Sequence, residues 1–355
     1  MPSFRGGGAE RVMVTLAQGL ASRGIATDLL VAQLEGPNLP AAADRLRVVN
    51  LEARRVLAAL GKLADYLRRT APDATISALP HANVVSVWAR AIARASTRVV
   101  VSEHTIPSLS ASTSNQLRAR VLPYFMRRTY GHADSIVAVS EGVAMDLATL
   151  IGAPRERITV IHNPVVTPEL IRLSAEPLDD DWFTPEQPPV ILSAGRLVAT
   201  KDYGNLVRAF AAVRARRPAR LVILGEGPER GALLRLAAEL GIAADVSMPG
   251  FVANPYRYMS RAAVFVLSSR FEGFGNALVE AMACGVPVVA TDCYGPREIL
   301  EDGRHGILVP VGQSDALAGA IERQFDAPFT GIGRERAAAF HVDAAIEQYR
   351  AVLRV

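Results

Sequence analysis

Short apolar, β-branched runs alternate with longer amphipathic stretches along almost the whole chain, and this alternation limits the fold more than any other feature. In the first half, Ala26–Ala32, Arg47–Asn50, Ala74–Ala78, Arg98–Ser102, Ser135–Val139 and Ile158–Ile161 read as strands. The second half restarts with Val190–Ala194, Arg220–Leu224, Val246–Pro249, Ala262–Leu267, Val286–Ala290 and Gly306–Val309. Runs that stay apolar at every position suit strands covered on both faces, which means parallel strands joined by helical crossovers. The expectation is an α/β chain of two doubly wound parallel-sheet domains, residues 1–166 and 190–330, with a closing helical segment at 331–355. Residues 167–189 carry five prolines and little periodicity and read as a linker. Sheets of this kind gather ligands at the carboxyl ends of their strands.

Composition narrows the class. No apolar run approaches the roughly 20 residues that span a bilayer, and no basic-then-apolar opening marks a secretory signal. Two cysteines, Cys284 and Cys293, are too few for a disulfide framework and suit a reducing, cytoplasmic setting. Charge is uneven: residues 1–170 hold 19 Lys/Arg against 13 Asp/Glu, whereas the remainder holds 20 against 22. A basic half can face an anionic partner or simply reflect an arginine-rich composition. No aromatic-plus-basic recognition motif accompanies it, so nucleic acid is not expected. Residues 116–130, QLRARVLPYFMRRTY, mix Arg118, Arg120, Arg127 and Arg128 with apolar side chains. Such a segment can lie on an anionic membrane surface, though ordinary helix burial accounts for its apolar residues equally well. Pro123 is expected to interrupt it.

The most informative stretch is SSRFEGFGNALVEAMACGVPVVATDCYG, residues 268–295. It reads as strand, glycine-rich turn, short helix and strand, with Asn276 as a cap and Gly285 just past the helix. Gly273, Phe274, Gly275 and Asn276 bring free amides and a positive helix end beside Glu272, a cradle for an anion such as phosphate. Glu272 and Glu280 serve better as acceptors for sugar hydroxyls than as a metal clamp. Arg196 and Lys201 follow the strand at 190–194; a planar fork of donors and a compact ammonium can together neutralise a diphosphate. Gly225–Pro228 and Gly250–Val252 follow the next two strands and could let backbone approach a flat base. His104 ends a strand beside Glu103, where it can hydrogen-bond a substrate or take part in proton transfer. Gly6, Gly7 and Gly8 precede a helix expected at Arg11–Arg23, a phosphate- or substrate-loop position, although at most Pro2–Phe4 remains of any preceding strand. The start is therefore either truncated or a stub. The triplet Asp179–Asp181 reads as a solvated loop, and no metal cluster is visible.

Residues 272–300, EGFGNALVEAMACGVPVVATDCYGPREIL, resemble the E-x7-E signature of family-4 retaining glycosyltransferases with the GT-B fold. GGGAERVMVTLAQGLASRG (6–24), SEHT (102–105), VAVSEGVAMDL (137–147), VIHNPV (160–165), SAGRLVATKDYGNLVRAF (193–210) and LVILGEGPE (221–229) follow in family order. The resemblance implies two Rossmann-like domains facing across a cleft and sugar transfer from a nucleoside diphosphate donor, with retention and without a metal or other cofactor. It implies that Arg196 and Lys201 grip the diphosphate, that Glu280 binds the ribose and that Glu272 lies near the transferred sugar. Gly273–Asn276 would meet phosphate and sugar hydroxyls, Phe251 and Val252 the base, Gly7 and Gly8 the phosphate, and His104 the reaction centre. It also implies a C-terminal helix returning to the first domain. Cell-surface polysaccharide or glycolipid synthesis on a saccharide or lipid-linked acceptor, at the inner membrane face, is the expected setting. An epimerase or hydrolase of nucleotide sugars, or a silent nucleotide-sugar binder, are the alternatives.

Overall fold

The computed structural model describes residues 1–4, 7–36, 39, 44–112, 117–328 and 332–355, with backbone alone at 117–119. The chain forms two compact units, Met1–Pro164 with Val342–Val355, and Val165–His341.

Among the described residues the first unit holds six strands, in two parallel sheets. β1 (Thr27–Val31) pairs with β2 (Leu46–Asn50), and β3 (Ala74–Ala78), β4 (Arg98–Glu103), β5 (Ser135–Ala138) and β6 (Ile158–Val160) form a second sheet in that order. Residues Met1–Phe4 run as a stub beside the end of β1. The Met1 amine donates to the Leu30 carbonyl at 2.8 Å, Ala32 N–H to Met1 O at 3.0 Å, and Phe4 N–H to Glu35 O at 2.7 Å. Phe4 is fully buried with Val14, Ala17, Leu29 and Val31. Burial of the Met1 amine lowers its pKa to about 6. Beside this stub, a cavity of about 510 Å³ lies between β1 and β3 and is lined by residues of both.

The helix after the glycines spans Gly8–Ser22, starting three residues earlier than its apolar pattern suggests. Gly7 is its extended N-cap, and Arg11 N–H reaches the Gly7 carbonyl. Gly6 lies outside the described residues. The segment expected to be broken at Pro123 is instead a continuous helix, Leu117–Thr129, with Pro123 inside it. Burial of Met126 and an edge-on contact of Phe125 with Trp88, centroids 5.6 Å apart, hold it to the unit despite the amide that proline lacks. Gln116 and the run 113–115 lie outside the described residues.

In the second unit the six strands among the described residues are parallel: β7 (Val190–Ala194), β8 (Arg220–Leu224), β9 (Val246–Gly250), β10 (Val264–Leu267), β11 (Val288–Thr291) and β12 (Ile307–Val309), in the order β12-β11-β10-β7-β8-β9. β7 is flanked by β8 on one side and β10 on the other, so the winding reverses between β7 and β10. Their carboxyl ends flank the topological switch point, where open α/β sheets bind ligands.

Residues 167–189 are not a free linker. Thr167 caps a helix, Pro168–Ser174, by accepting from Leu170 N–H at 3.1 Å. Pro168 suits its first turn, which needs no amide there. Asn254 and Ser260 donate to the Leu173 and Ser174 carbonyls at 2.9 and 2.8 Å, and the Arg220 guanidinium lies 4.6 Å from the Trp182 ring. These contacts stitch the segment to the second unit. Within Asp179–Asp181, Asp180 caps a short 3-10 turn by accepting from Trp182 N–H at 3.1 Å. Residues 332–341 likewise belong to the second unit: Arg334 donates to Cys284 O at 3.0 Å and Arg336 to Ile299 O at 2.9 Å. The chain rejoins the first unit at Val342. There the helix Val342–Leu353 buries Ala345, Ile346, Tyr349 and Leu353 against Met13, Leu16 and Leu20.

Candidate active site

The switch point of the second unit brings together the loops that follow β7 and β10. Lys201 Nζ donates to Glu272 Oε1 at 2.5 Å, and Ser269 Oγ donates to the same oxygen at 2.6 Å. Backbone fixes the approach. Arg270 N–H donates to Thr200 O and Ser268 Oγ to Lys201 O, each at 2.8 Å, so the two loops are tied on either side of the ion pair. Thr291 Oγ1, at the end of β11, donates to Ser269 O at 2.5 Å. The Lys201 and Glu272 side chains are 23% and 14% exposed, so the pair is screened from bulk water yet reachable from outside.

Beyond Glu272 the chain turns through Gly273 and Phe274 into the helix Asn276–Cys284. The cap differs from the sequence expectation: Gly275 is the N-cap, at φ 118°, and Asn276 is the first helical residue. The left-handed cap makes the Gly275 carbonyl the acceptor of Leu278 N–H at 3.0 Å, so the capping role falls to backbone and not to Asn276. Phe274 is buried edge-on against Phe340 at 5.3 Å, and a Cβ on Gly295 would stand 1.9 Å from the Phe274 carbonyl. The turn is thus clamped from below. Gly285, at φ 85°, ends the helix as expected. Glu280, on that helix, is buried at 4% exposure. Cys293 lies beside this cluster; burial first, then the Glu272 charge, push its thiol up to about 12, so it stays protonated.

The three loops after β7, β8 and β9 are stacked. Gly195 N–H donates to Leu224 O, Leu197 N–H to Glu226 O, and Gly225 N–H to Gly250 O. Gly225 has φ 128°, and a Cβ there would stand 2.1 Å from the Gly195 carbonyl. Only glycine allows that approach. Arg196 emerges exposed from this stack and makes no ion pair among the described residues. Phe251, at 61% exposure, stands at the tip of the loop after β9, with Val252 half-buried next to it. A solvent-facing phenylalanine beside glycine-rich backbone is a surface on which a planar ring can lie.

In the first unit His104 follows β4. Its Nε2 lies 3.1 Å from Ser102 Oγ, its Nδ1 is buried without a partner among the described residues, and burial lowers its pKa to about 4. The imidazole is therefore neutral at neutral pH. Adjacent Glu103 is fully buried; it accepts from Tyr130 OH at 2.5 Å and Asn83 Nδ2 at 2.6 Å. Desolvation raises its pKa to about 8 despite those donors, so it is mainly protonated at neutral pH. Gly7 and Gly8 open the helix Gly8–Ser22, where Glu10 folds back so closely that a Cβ on Gly7 would meet its carboxylate at 2.0 Å. Ser140, at another strand end, caps the helix Glu141–Ile151 by accepting from Val143 N–H at 3.2 Å, and Glu141 pairs with Arg155.

Two matches divide the chain. Residues 6–168 match the family described as Glycosyltransferase Family 4, and residues 175–338 match Glycosyl transferases group 1. A lipopolysaccharide core biosynthesis glycosyltransferase, LpsE of Rhizobium meliloti, is 30% identical over 322 residues, covering 89% of this chain and 85% of the relative. The chain belongs to the group 1 glycosyltransferases with the GT-B fold. A second relative of this glycosyltransferase, the Campylobacter jejuni N-acetylgalactosamine-N,N'-diacetylbacillosaminyl-diphospho-undecaprenol 4-alpha-N-acetylgalactosaminyltransferase, is 32% identical over 257 residues, 72% of this chain and 68% of its own. The fold matches that of Anabaena HepE, solved in complex with UDP-glucose, at a TM-score of 0.77 and 22% identity over 100% of this chain and 98% of that one.

Sequence reasoning placed Lys201, Glu272, Gly273, Phe274, Gly275 and Asn276 in one neighbourhood, and the fold brings them there. It missed Ser269 and Thr291, which lock the Glu272 loop, and Tyr130 and Asn83, which hold Glu103. Single hydroxyls and amides carry no spacing signal of their own.

Proposed function

We propose that this glycosyltransferase moves a sugar from a nucleoside diphosphate donor to a saccharide or lipid-linked acceptor, with retention of anomeric configuration. The observation that carries the reading is the convergence of Lys201, Glu272 and the amino end of the helix Asn276–Cys284 at the switch point of the second sheet. As the glycosidic bond breaks, the diphosphate gains negative charge. Lys201, the exposed Arg196 and the first-turn amides of that helix are the groups that meet this charge. Drawing Lys201 toward phosphate frees Glu272 to accept a hydroxyl of the transferred sugar, with Gly273–Asn276 lining the turn. Glu280 takes the ribose, Phe251 and Val252 the base, Gly7 and Gly8 the phosphate, and His104 the sugar. None of these side chains is assigned as a covalent nucleophile; the donor phosphate accepts the acceptor proton on the face the leaving group vacates. Protein cations carry the leaving-group charge in this scheme, so transfer persists in excess chelator.

The named activities of the two relatives, one in lipopolysaccharide core synthesis and one on a diphospho-undecaprenol acceptor, support a cell-surface glycan or glycolipid product. No helix among the described residues is long and apolar enough to cross a membrane. The exposed face of the helix Leu117–Thr129 presents Val121, Tyr124 and Phe125 with Arg120, Arg127 and Arg128, a composition suited to an anionic lipid surface. The test is turnover with UDP-glucose and a glycan acceptor, followed by anomeric analysis of the product. Lys201→Ala and Glu272→Ala should each abolish transfer with the fold intact. Full activity in both would remove the site assignment, an inverted product would remove retention, and free sugar or an epimer without a new glycoside would replace transfer by hydrolysis or epimerisation.

A further inference from the structure

His104 is neutral, so it carries one ring proton, and which nitrogen bears it decides what the ring offers a ligand. Two other hydroxyls bear on that choice. Ser102 Oγ lies 3.1 Å from His104 Nε2 and 3.3 Å from the hydroxyl of Tyr349, which the helix Val342–Leu353 carries into the first unit. Ser102 and Tyr349 are both fully buried, and Ser102 Oγ is the one hydrogen-bond partner of the Tyr349 hydroxyl among the described residues.

Counting protons separates the two arrangements. If Nε2–H donates to Ser102, one hydroxyl proton is left buried with no acceptor: the phenol proton where Ser102 donates to Tyr349, or the Ser102 proton where Ser102 accepts from both. If instead Tyr349 donates to Ser102 and Ser102 donates to Nε2, both hydroxyl protons are used. The single unpaired donor is then Nδ1–H, buried in the free protein on a residue that retains 9% exposure. A buried, unpaired donor costs about 1–3 kcal/mol, so the second arrangement removes that cost from a place no ligand reaches. It moves the unpaired donor to the residue at the end of β4, the end at which such sheets take ligands.

We propose that Tyr349 and Ser102 form a relay that fixes His104 as an Nδ1–H donor, poised for an oxygen acceptor on the bound nucleotide sugar. The C-terminal helix thereby does more than close the fold: it supplies the proton that sets the tautomer. Ser102 and Tyr349 are positioning residues, and His104 is the group that meets the ligand. The ligand half of this proposal rests on the glycosyl-transfer reading, whereas the tautomer half does not.

The experiment is long-range 1H–15N correlation on the full chain with 15N-labelled histidine, with the His104 ring signals identified by their loss in His104→Gln. Wild type should show Nδ1 protonated and Nε2 bare. Tyr349→Phe removes the phenol donor, and Ser102→Ala removes the link to Nε2. Each should shift the ring toward a mixture of tautomers and lower kcat about tenfold, the loss of one hydrogen bond, with the donor KM nearly unchanged. An Nε2–H signal in wild type, or an unaltered tautomer with unaltered kcat in both variants, overturns the relay whatever reaction the enzyme performs. Titration with UDP-glucose separates the other half. A shift of the His104 Nδ1 resonance supports the contact with ligand, and saturation binding that leaves that resonance in place overturns it while the tautomer result stands.

Discussion

Replacing Glu103 by glutamine gives a sharp prediction, because a carboxyl with no route to water must alter how stability responds to pH. Glu103 is fully buried and held near 8, against an ordinary value of 4.5, with desolvation as the main cause. The folded chain therefore binds more protons than the unfolded chain between these two values, and the Glu103 contribution to stability falls as pH rises through that window. The slope is at most about 1.4 kcal/mol per pH unit, or on the order of 5 kcal/mol in all, against a total domain stability of about 5–15 kcal/mol. Two other groups act in the opposite sense. His104, lowered to about 4 by burial, and the Met1 amine, lowered to about 6, are less protonated folded than unfolded. Their contributions rise with pH and flatten the wild-type profile. The Glu103→Gln variant keeps both and loses only the carboxyl, so the difference between the two proteins isolates Glu103. The substituted side chain still accepts from Tyr130 and Asn83, but its amide nitrogen replaces the unpartnered Glu103 Oε2 and costs about 1–3 kcal/mol at every pH. The variant should thus be the less stable protein in acid and the more stable one above neutrality, with the two curves crossing. Urea unfolding from about pH 5 to about pH 8 measures this. Trp88 lies in the first unit and Trp182 in the second, so a Trp182→Phe background makes the fluorescence report the first unit alone. Parallel pH profiles for the two proteins would refute the reasoning.

Other consequences follow from single contacts. Gly225→Ala places a methyl 2.1 Å from the Gly195 carbonyl at a φ of 128°, which should cost about 3 kcal/mol or more and cut transfer through the stacked loops; thermal unfolding together with donor titration measures both effects. Ile346→Ala opens a hole between the C-terminal helix and Leu16 and Leu20 and should lower stability by about 2–5 kcal/mol, read by urea unfolding. Changing Arg120, Arg127 and Arg128 to Gln should weaken sedimentation with anionic vesicles about a hundredfold at low salt, at about 1 kcal/mol for each charge, with neutral vesicles unaffected; equal binding by both proteins would remove the membrane assignment.

The strands are legible because a parallel strand covered on both faces is apolar at most of its positions. Val190–Ala194, Arg220–Leu224 and Ala74–Ala78 match their predicted limits for that reason. The segment 167–189 is not, because proline density looks locally the same in a free linker and in a docked one. Pro168 in fact opens a helix, and what holds it is a pair of side-chain bonds from Asn254 and Ser260, over 80 residues away along the chain. Pro123 misleads in the same way: helix Leu117–Thr129 survives it because Met126 and Phe125 are held by packing that the segment's own composition does not reveal. Local sequence reports what the backbone prefers, and these two cases turn on what distant residues supply.

The same distinction runs through the site. Lys201 and Glu272 are legible separately, each by the strand it follows, but their contact depends on the winding reversal that sets β7 beside β10. That reversal cannot be read from either strand, since both are equally apolar; it follows from the strand order alone. Once the order is known, the contact is nearly forced. Two loops leaving adjacent parallel strands at the same edge have their first few residues within reach of one another, and Arg270 N–H to Thr200 O closes the remaining gap. Lys201 therefore has its partner fixed by topology, and Ser269 fixes the Glu272 carboxylate oxygen that Lys201 meets. An arrangement in which a cation is held by a carboxylate, rather than left in water, has a chemical consequence. In the proposed donor site a diphosphate would have to compete with Glu272 for Lys201, and a ligand that also gives Glu272 a hydroxyl to accept would compensate both partners. There, a nucleoside diphosphate without its sugar lacks the sugar hydroxyl that Glu272 would accept, so the ion pair would favour the intact nucleotide sugar over that fragment.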